Sequence, residues 1–240
     1  MAEKPKPQDV ARMLSHLRDS EEMKPRRVES APLDPQLELL RSWQSERLAR
    51  TYADFLTSPR YGPACRFFLR DIYAPRDLTQ RNTDMERLHE FLARFLPPGA
   101  LETLTDTIEL HTLTEELDRA LLTVLVEDLG VTDSITVALY AEAYRICDNY
   151  DERKNQIDLI IEVGQSVDRL VRLPFIGTTF RLFRGPAHSA GWGELHDFLE
   201  RGYNAFKRMK GAERFLRTIQ ERETRILDQI FGGDPDPFAI

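Results

Sequence analysis

The sequence contains little that could cross-link a fold or anchor it in a membrane. Its 240 residues include two cysteines, Cys65 and Cys147, which lie far apart. This excludes a disulfide scaffold and a cysteine-rich zinc site. The longest apolar stretch, 120–126, ends in two acidic residues and falls well short of the roughly 20 residues that a membrane span needs. Residues 1–30 hold no apolar run typical of a secretory signal. We therefore expect a cytoplasmic protein with no membrane span.

Positive charge is also in short supply, with 33 Lys and Arg against 40 Asp and Glu and a net charge of -7. This balance argues against a nucleic-acid partner, because such binding needs a basic face that displaces counterions. The charge is uneven, since residues 98–152 hold 2 basic and 13 acidic residues, whereas residues 153–225 hold 14 and 9. We expect these segments either to attract each other across the fold or to present oppositely charged faces to partners. Lysine is scarce beside arginine, a usage typical of GC-rich genomes that indicates a bacterial source.

Alternating strand patterns and internal repeats are missing, whereas apolar residues recur at helical spacing along most of the chain. The sequence therefore predicts an all-α bundle of about eight or nine helices. Residues 1–33, with four prolines and scattered charge, predict a flexible N-terminal arm, and residues 34–240 predict a single helical domain.

Helix boundaries are predicted from capping residues and breakers. Asp34-Pro35 begins a helix that should end by Ser58-Pro59, and Gly130 should end a long one. Asp133 and Asp151 are the expected N-caps of two later helices. Another helix is expected over 79–96, and residues 184–193 are interpreted as a loop.

The densest polar and aromatic cluster lies in the segment FFLRDIYAPRD, residues 67–77, and continues to Arg81. Its polar members surround a turn bounded by proline. Guanidinium and carboxylate groups in such a turn either lock it by bidentate pairing or bind a ligand. The sequence leaves both open for this candidate cluster, which comprises Asp71, Tyr73, Arg76, Asp77 and Arg81.

The same segment, followed by RNTDMERL, resembles a bacterial family of uncharacterised proteins with an FFLxxxYxPxD-type signature. The C-terminal sequence FLRTIQERETRILDQIF and the final Pro-Phe pair are similar to that family as well. The resemblance covers most of residues 35–238 and implies no particular activity. Ala74 departs from the glycine expected between Tyr73 and Pro75, which affects only a local backbone detail.

His111 follows an apolar helical stripe through Leu101, Leu104 and Ile108, which predicts that its ring faces inward. Such a histidine is either a hydrogen-bonded core residue or an axial haem ligand or general base in a cavity between helices. Tyr144 and Arg145, at a later helix junction, would line the same cavity if they turn inward.

Patterns that carry known chemistry are incomplete. Glu86-x-x-His89 matches one half of a di-iron carboxylate site. The pairs that could supply the other half, Glu109 with His111 and Glu194 with His196, are two residues apart, a spacing that does not place both side chains on one helix face. Nucleophile-elbow and phosphate-loop motifs are absent. We therefore assign no metal ligands, cofactor or catalytic residues.

Two classes of function remain. The first is a non-catalytic helical protein that binds a small molecule or a protein partner. Aromatic residues concentrated in 175–206, with Arg181 and Arg184 among them, would suit a partner surface. The second is a cofactor protein of haem type, or an enzyme, with a cavity around His111. A homodimer is compatible with either class.

Overall fold

The computed structural model describes residues 35–72, 99–174, 176–189 and 193–239. Within these ranges the regular structure is entirely helical, which confirms the predicted all-α fold. The predicted arm, 1–33, and the predicted helix over 79–96 lie outside the described residues. The described ranges contain nine α-helices: α1 (Pro35–Thr51), α2 (Ala53–Thr57), α3 (Gly62–Phe67), α4 (Ala100–Thr123), α5 (Val137–Cys147), α6 (Tyr150–Val171), α7 (Ile176–Ser189), α8 (Gly193–Met209) and α9 (Glu213–Phe231).

The first predicted helix is broken once. It begins at Pro35, as expected, but α1 ends at Thr51 and α2 starts at Ala53. At the break, Tyr52 is buried and its hydroxyl donates a hydrogen bond to Glu223 in α9, 2.8 Å away. The backbone of Tyr52, with φ of -113° and ψ of 26°, departs from helical values. Its hydrogen bonds to Leu48 and Leu56 are nevertheless kept, so the break is a local bend.

The longest helix, α4, continues into a π-helical turn over Val124–Asp128 and ends where predicted. Gly130 adopts the left-handed conformation there, with φ of 66°, which glycine reaches at little steric cost. No helix among the described ranges is both long enough and apolar enough to cross a membrane.

The two expected N-caps are wrong by a few residues. Helix α5 starts after Thr136, whose hydroxyl oxygen accepts a hydrogen bond from the Leu139 amide at 3.2 Å, and not after Asp133. Asn149 precedes α6 without a capping side-chain bond, and Asp151 lies in the first turn. An acidic residue in the first turn still interacts favourably with the positive end of the helix.

The predicted loop over 184–193 is also wrong in its first half, because α7 stays helical through Ser189 despite Pro186. Ile176 and Ala187 on this helix are buried, and α7 packs along α8. Packing of one apolar face therefore outweighs the local cost of proline and glycine in the helix.

Two hydrophobic cores share three long helices. The first core is rich in aromatic side chains and gathers α2, α3 and α8 around residues such as Phe55, Phe206 and Phe215. The second core lies around α4 and α5 and includes Leu121, Tyr140 and Ile226. Helices α1, α6 and α9 contribute residues to both cores, so these three helices connect the two cores.

Helices α6 and α9 approach closely where Gly164 meets Leu216. A Cβ atom at residue 164 would collide with the Leu216 side chain. Leu216 is 3% exposed and therefore has little room to move. Glycine thus permits the helix contact that holds the first core against α6.

Candidate functional site

A cavity of about 230 Å³ lies where the end of α6 meets the end of α8. Val171 and Phe206 supply apolar lining, and the basic side chains of Arg172, Lys207 and Lys210 line it as well. An apolar surface beside a few charged groups is a common composition for a small-ligand site.

The chain forms this cavity by a sharp reversal after α8. Lys210 and Gly211 both have positive φ, 52° and 121°, which redirects the backbone into α9. From the loop before α3, Arg60 donates hydrogen bonds to the carbonyls of Met209 at 2.6 Å and Gly211 at 3.3 Å. Its charge offsets the negative end of α8, which would otherwise repel an anion.

One carboxylate also lines the cavity, and protein groups already engage it. Asp168 forms an ion pair with Arg172 and accepts a hydrogen bond from the Ala212 amide at 3.2 Å. On the opposite side, the Lys207 ammonium donates to the Tyr203 hydroxyl at 2.8 Å. With three cations against one engaged carboxylate, the lining carries positive charge.

A second polar cluster joins α7 to α8. His188 Nε2 lies 3.1 Å from Asp197 Oδ1, and His196 Nδ1 lies 3.3 Å from the same oxygen. The other ring nitrogen of His196, Nε2, is 2.8 Å from the Phe180 carbonyl oxygen. The two rings and the carboxylate offer ligand atoms that all lie within 4.8 Å of one another, as in a metal site.

Two features hold this cluster in place. The first is the hydrogen bond from His188, which is the main cause of the lowered pKa of Asp197. The positive charge of Arg184 is a smaller cause of the same shift. Gly193 packs against the His188 ring so closely that a Cβ atom at residue 193 would lie 2.7 Å from Nδ1. The ring therefore rests on the first turn of α8 with its Nε2 atom turned to the carboxylate.

A buried polar network links the two cores. Arg47 Nη1 donates to both carboxylate oxygens of Glu223 at 2.8 Å, and Tyr52 donates to one of them. Burial by itself lowers the pKa of Arg47. Interactions with nearby groups, of which the Glu223 carboxylate is the strongest, have a larger opposite effect, so the pKa of Arg47 is raised. The guanidinium stays charged, and we interpret this part of the network as a structural lock.

The network continues on the side of the second core. Gln44 donates to Asp118 at 2.9 Å, while Arg153 lies 3.9 Å from that carboxylate and donates to the Leu117 carbonyl at 3.0 Å. Burial raises the pKa of Asp118, and Arg153 and Gln44 oppose that shift. Gln44 Oε1 and the Nε atoms of Arg47 and Arg153 are buried without a hydrogen-bond partner among the described residues.

Only some of the expected attraction between acidic and basic segments is found. Arg153 in the basic segment meets Asp118 in the acidic one. Arg222 instead pairs with Asp54 in α2, at 2.8 Å. The basic segment is therefore paired with the acidic middle segment and also with the N-terminal helices.

The sequence-predicted polar cluster after α3 mostly falls outside the described residues. Tyr73, Arg76, Asp77 and Arg81 lie there, and only the backbone of Asp71 is described, in a π-helical turn over Phe68–Ile72. The choice between a turn lock and a ligand site stays a prediction for these residues. The aromatic start of the same segment, Phe67 with Phe68 beside it, packs in or against the first core.

His111 does not face inward, so that prediction is wrong. Its side chain is 48% exposed, and Nε2 lies 3.4 Å from Glu115 one turn further along α4. Tyr144 is buried, and its hydroxyl accepts a hydrogen bond from the Tyr140 hydroxyl at 3.1 Å. The Arg153 guanidinium lies over its ring. Arg145 donates to the Ile230 carbonyl at the end of α9, 3.0 Å away. The three candidates thus occupy different surroundings: His111 is exposed, Tyr144 is buried and Arg145 is partly exposed.

Sequence reasoning missed both polar clusters that the fold assembles. Arg47 and Gln44 stand beside the apolar residues of the first helix, and they are buried with them. His188 lies in the segment predicted to be a loop, and the sequence pairs His196 only with Glu194, at a spacing that does not place them on one helix face. A turn that brings residue 188 beside 196 has no local signal, because α7 was not predicted to reach Ser189.

Comparison with known proteins gives a family and no activity. A family described as a domain of unknown function (DUF8198) matches residues 23–237. The chain belongs to this family. The match is consistent with the expected membership of an uncharacterised family, while the signature motif and the bacterial source stay predictions. No curated protein and no solved structure matches the chain.

Proposed function

We propose that this protein is a non-catalytic helical protein that binds a small anion, of phosphate type, in the cavity between the ends of α6 and α8. The observation that carries the proposal is the charge of the lining, in which Lys207 and Lys210 remain after Arg172 pairs with Asp168, the carboxylate among the described lining residues. That carboxylate, Asp168, is already neutralised by Arg172 and by a backbone amide. An anion would complete the charge balance of the site.

The size of the cavity favours a compact ligand. Its volume of about 230 Å³ lies below the roughly 300–1,000 Å³ of pockets that hold drug-sized molecules. A phosphate group with a short substituent resting on Val171 and Phe206 would suit this space.

The lining supports binding and offers little for catalysis. In the described part of the chain it includes no histidine, cysteine or serine, and its carboxylate, Asp168, is already held by Arg172 and by the Ala212 amide. The haem alternative has meanwhile lost its support, because it rested on a buried His111, and that side chain is half exposed beside Glu115.

Calorimetric titration of the full chain with inorganic phosphate, at fixed ionic strength, tests the proposal. The double variant Lys207→Gln and Lys210→Asn removes two cations, and asparagine tolerates the positive φ of residue 210. We expect saturable binding by the native chain and at least about tenfold weaker binding by the variant, since each charge-assisted bond contributes about 1.5–3 kcal/mol.

Arg208→Gln is the matched control, because Arg208 is exposed on the same helix and does not line the cavity. It should leave phosphate affinity unchanged. Binding that is not saturable, or that falls equally in the control and the double variant, would reflect overall charge and would overturn the proposal.

A further inference from the structure

The cluster at the α7–α8 junction has a hydrogen-bonding conflict that a cation resolves. The Phe180 carbonyl can only accept, so His196 Nε2, 2.8 Å away, must carry the proton. In a neutral ring the Nδ1 atom then holds a lone pair, and it faces Asp197 Oδ1 at 3.3 Å. Either a proton on Nδ1 or a metal ion between the two atoms removes this conflict. The clustering of two imidazole rings and one carboxylate, with ligand atoms all within 4.8 Å of one another, favours the metal ion.

His188 brings a second nitrogen to the same carboxylate oxygen. Its Nε2 atom is 3.1 Å from Asp197 Oδ1, and its ring centroid is 6.1 Å from that of His196. A zinc ion bound at about 2.0–2.1 Å holds tetrahedral ligand atoms about 3.4 Å apart. The two nitrogen-to-oxygen distances therefore need only small adjustments for an ion to sit among the three groups.

We propose that His188, His196 and Asp197 bind a first-row divalent transition-metal ion, for which Zn²⁺ is the natural probe. Two imidazoles and one carboxylate suit zinc, iron or cobalt better than magnesium or calcium, which prefer oxygen ligands. The bond from His196 to a backbone carbonyl is the outer-shell contact that orients metal-binding histidines in proteins.

The surroundings of the three ligands favour an open site. The His196 side chain is 6% exposed and anchors the cluster, whereas His188 and Asp197 are 46% and 33% exposed. A metal held by these three groups keeps at least one position towards solvent, where water or an added ligand completes the shell. The site is separate from the proposed anion cavity, whose lining shares none of the three residues.

Titration of the full, untagged chain with Zn²⁺ against a chromophoric chelator measures the affinity, and Co²⁺ absorption in the visible range reports the ligand geometry. We expect one ion per chain. His188→Ala and Asp197→Asn, both at partly exposed positions, should each weaken Zn²⁺ binding by at least about 100-fold, because even outer-shell changes cost about 10–100-fold.

His111→Ala is the control, since it removes an exposed histidine that also lies beside a carboxylate, at 3.4 Å from Glu115. Circular dichroism and thermal unfolding without metal establish that each variant folds. Loss of affinity in both site variants with an unchanged control supports the proposal. Unchanged affinity in either site variant, an equal loss in the control, or no saturable binding of one ion would overturn it.

Discussion

The buried network between the two cores and the histidine cluster at the α7–α8 junction are both polar, yet their surroundings differ. Arg47 and Glu223 lie inside the fold with side chains 10% and 15% exposed, and each is bound by a protein group of opposite charge. His188 and Asp197 are 46% and 33% exposed, and two ring nitrogens share one carboxylate oxygen. In the first arrangement each charge is paired within the protein, although the Nε atom of Arg47 has no hydrogen-bond partner among the described residues. In the second, the three ligand atoms lie within 4.8 Å of one another near the surface, as the proposed cation site requires.

This difference shows how burial decides the role of a charged cluster. Inside the fold, an ion pair must be complete, because removing one partner strands the other charge away from water. Near the surface, an incomplete set is tolerated, since water and solutes can supply what is missing. The contrast predicts that changes in the network alter stability and that changes in the junction cluster alter binding.

The largest effect is expected from Arg47→Met, which leaves Glu223 buried without its cation. We expect the free energy of unfolding to fall by about 3–5 kcal/mol, measured by urea denaturation. Arg50→Met on the same helix is the control, because Arg50 and Glu46 are 63% and 69% exposed, and it should cost less than about 1 kcal/mol.

The double variant Arg47→Met and Glu223→Gln distinguishes two costs: the loss of the ion pair itself and the burial of an unpaired Glu223 carboxylate. Neutralising Glu223 while keeping an acceptor for Tyr52 should recover at least about 1 kcal/mol relative to the sum of the single variants. Strict additivity would show that Arg47 and Glu223 contribute independently and that the network is no lock.

The next effect is expected from Gly164→Ala in the first core. The new Cβ would collide with Leu216, and overpacking of a dense core costs about 1–3 kcal/mol, which exceeds the roughly 0.5–1 kcal/mol that alanine gains in a helix. Chemical denaturation should show a net loss of stability. A net gain would mean that Leu216 moves aside freely.

The same substitution at Gly193 should act on binding. Alanine there would push the His188 ring away from Asp197 without burying a charge or opening a cavity. We expect zinc affinity to fall about tenfold, or about 1.4 kcal/mol, while the urea midpoint of the metal-free chain stays close to the native value. A loss of stability as large as that of Gly164→Ala would mean that Gly193 is needed for packing of the fold and not specifically for the metal site.

The smallest effect is expected at the surface pair of Asp54 and Arg222. A hydrogen bond from Arg222 lowers the pKa of Asp54, so the pair stabilises the fold above the unfolded value of about 3.9 and the effect is lost as pH falls through the lower folded value. Because Asp54 is 55% exposed, Asp54→Asn should cost about 0.2–1 kcal/mol at pH 7.

Urea denaturation of the native chain and of Asp54→Asn from pH 7 downwards measures this dependence. The difference between the two proteins should shrink below about pH 4 and vanish once the carboxyl is protonated in both states. A difference that persists at the acid end would mean that the asparagine itself disturbs α2.

Helical content was predictable because apolar spacing is a local property. The start of α1 at Pro35 and the left-handed Gly130 after α4 follow from the identity of one or two residues. The break at Tyr52 and the extension of α7 through Pro186 were not predictable, because no local pattern marks either of them. Tyr52 contacts Glu223, which is distant in sequence, and α7 buries one face.

The candidate site was predictable to a smaller extent. His111 follows an apolar stripe in sequence, yet the partner helices cover other faces of α4 and leave it half exposed. The basic lining of the cavity combines Arg172 with Lys207, from the ends of two helices that only packing brings together. The spacing of residues along the chain does not predict which helix ends pack together.

Residue identities and their spacing are enough to predict that the described chain is helical, where its strongest helix breakers lie and which residues are apolar enough to form cores. The tertiary structure decided which charged residues are buried together and which meet at the surface. The physical reason is that helix formation depends on neighbours three and four residues apart. Arg47 and Glu223 are 176 residues apart, so their pairing depends on how whole helices pack.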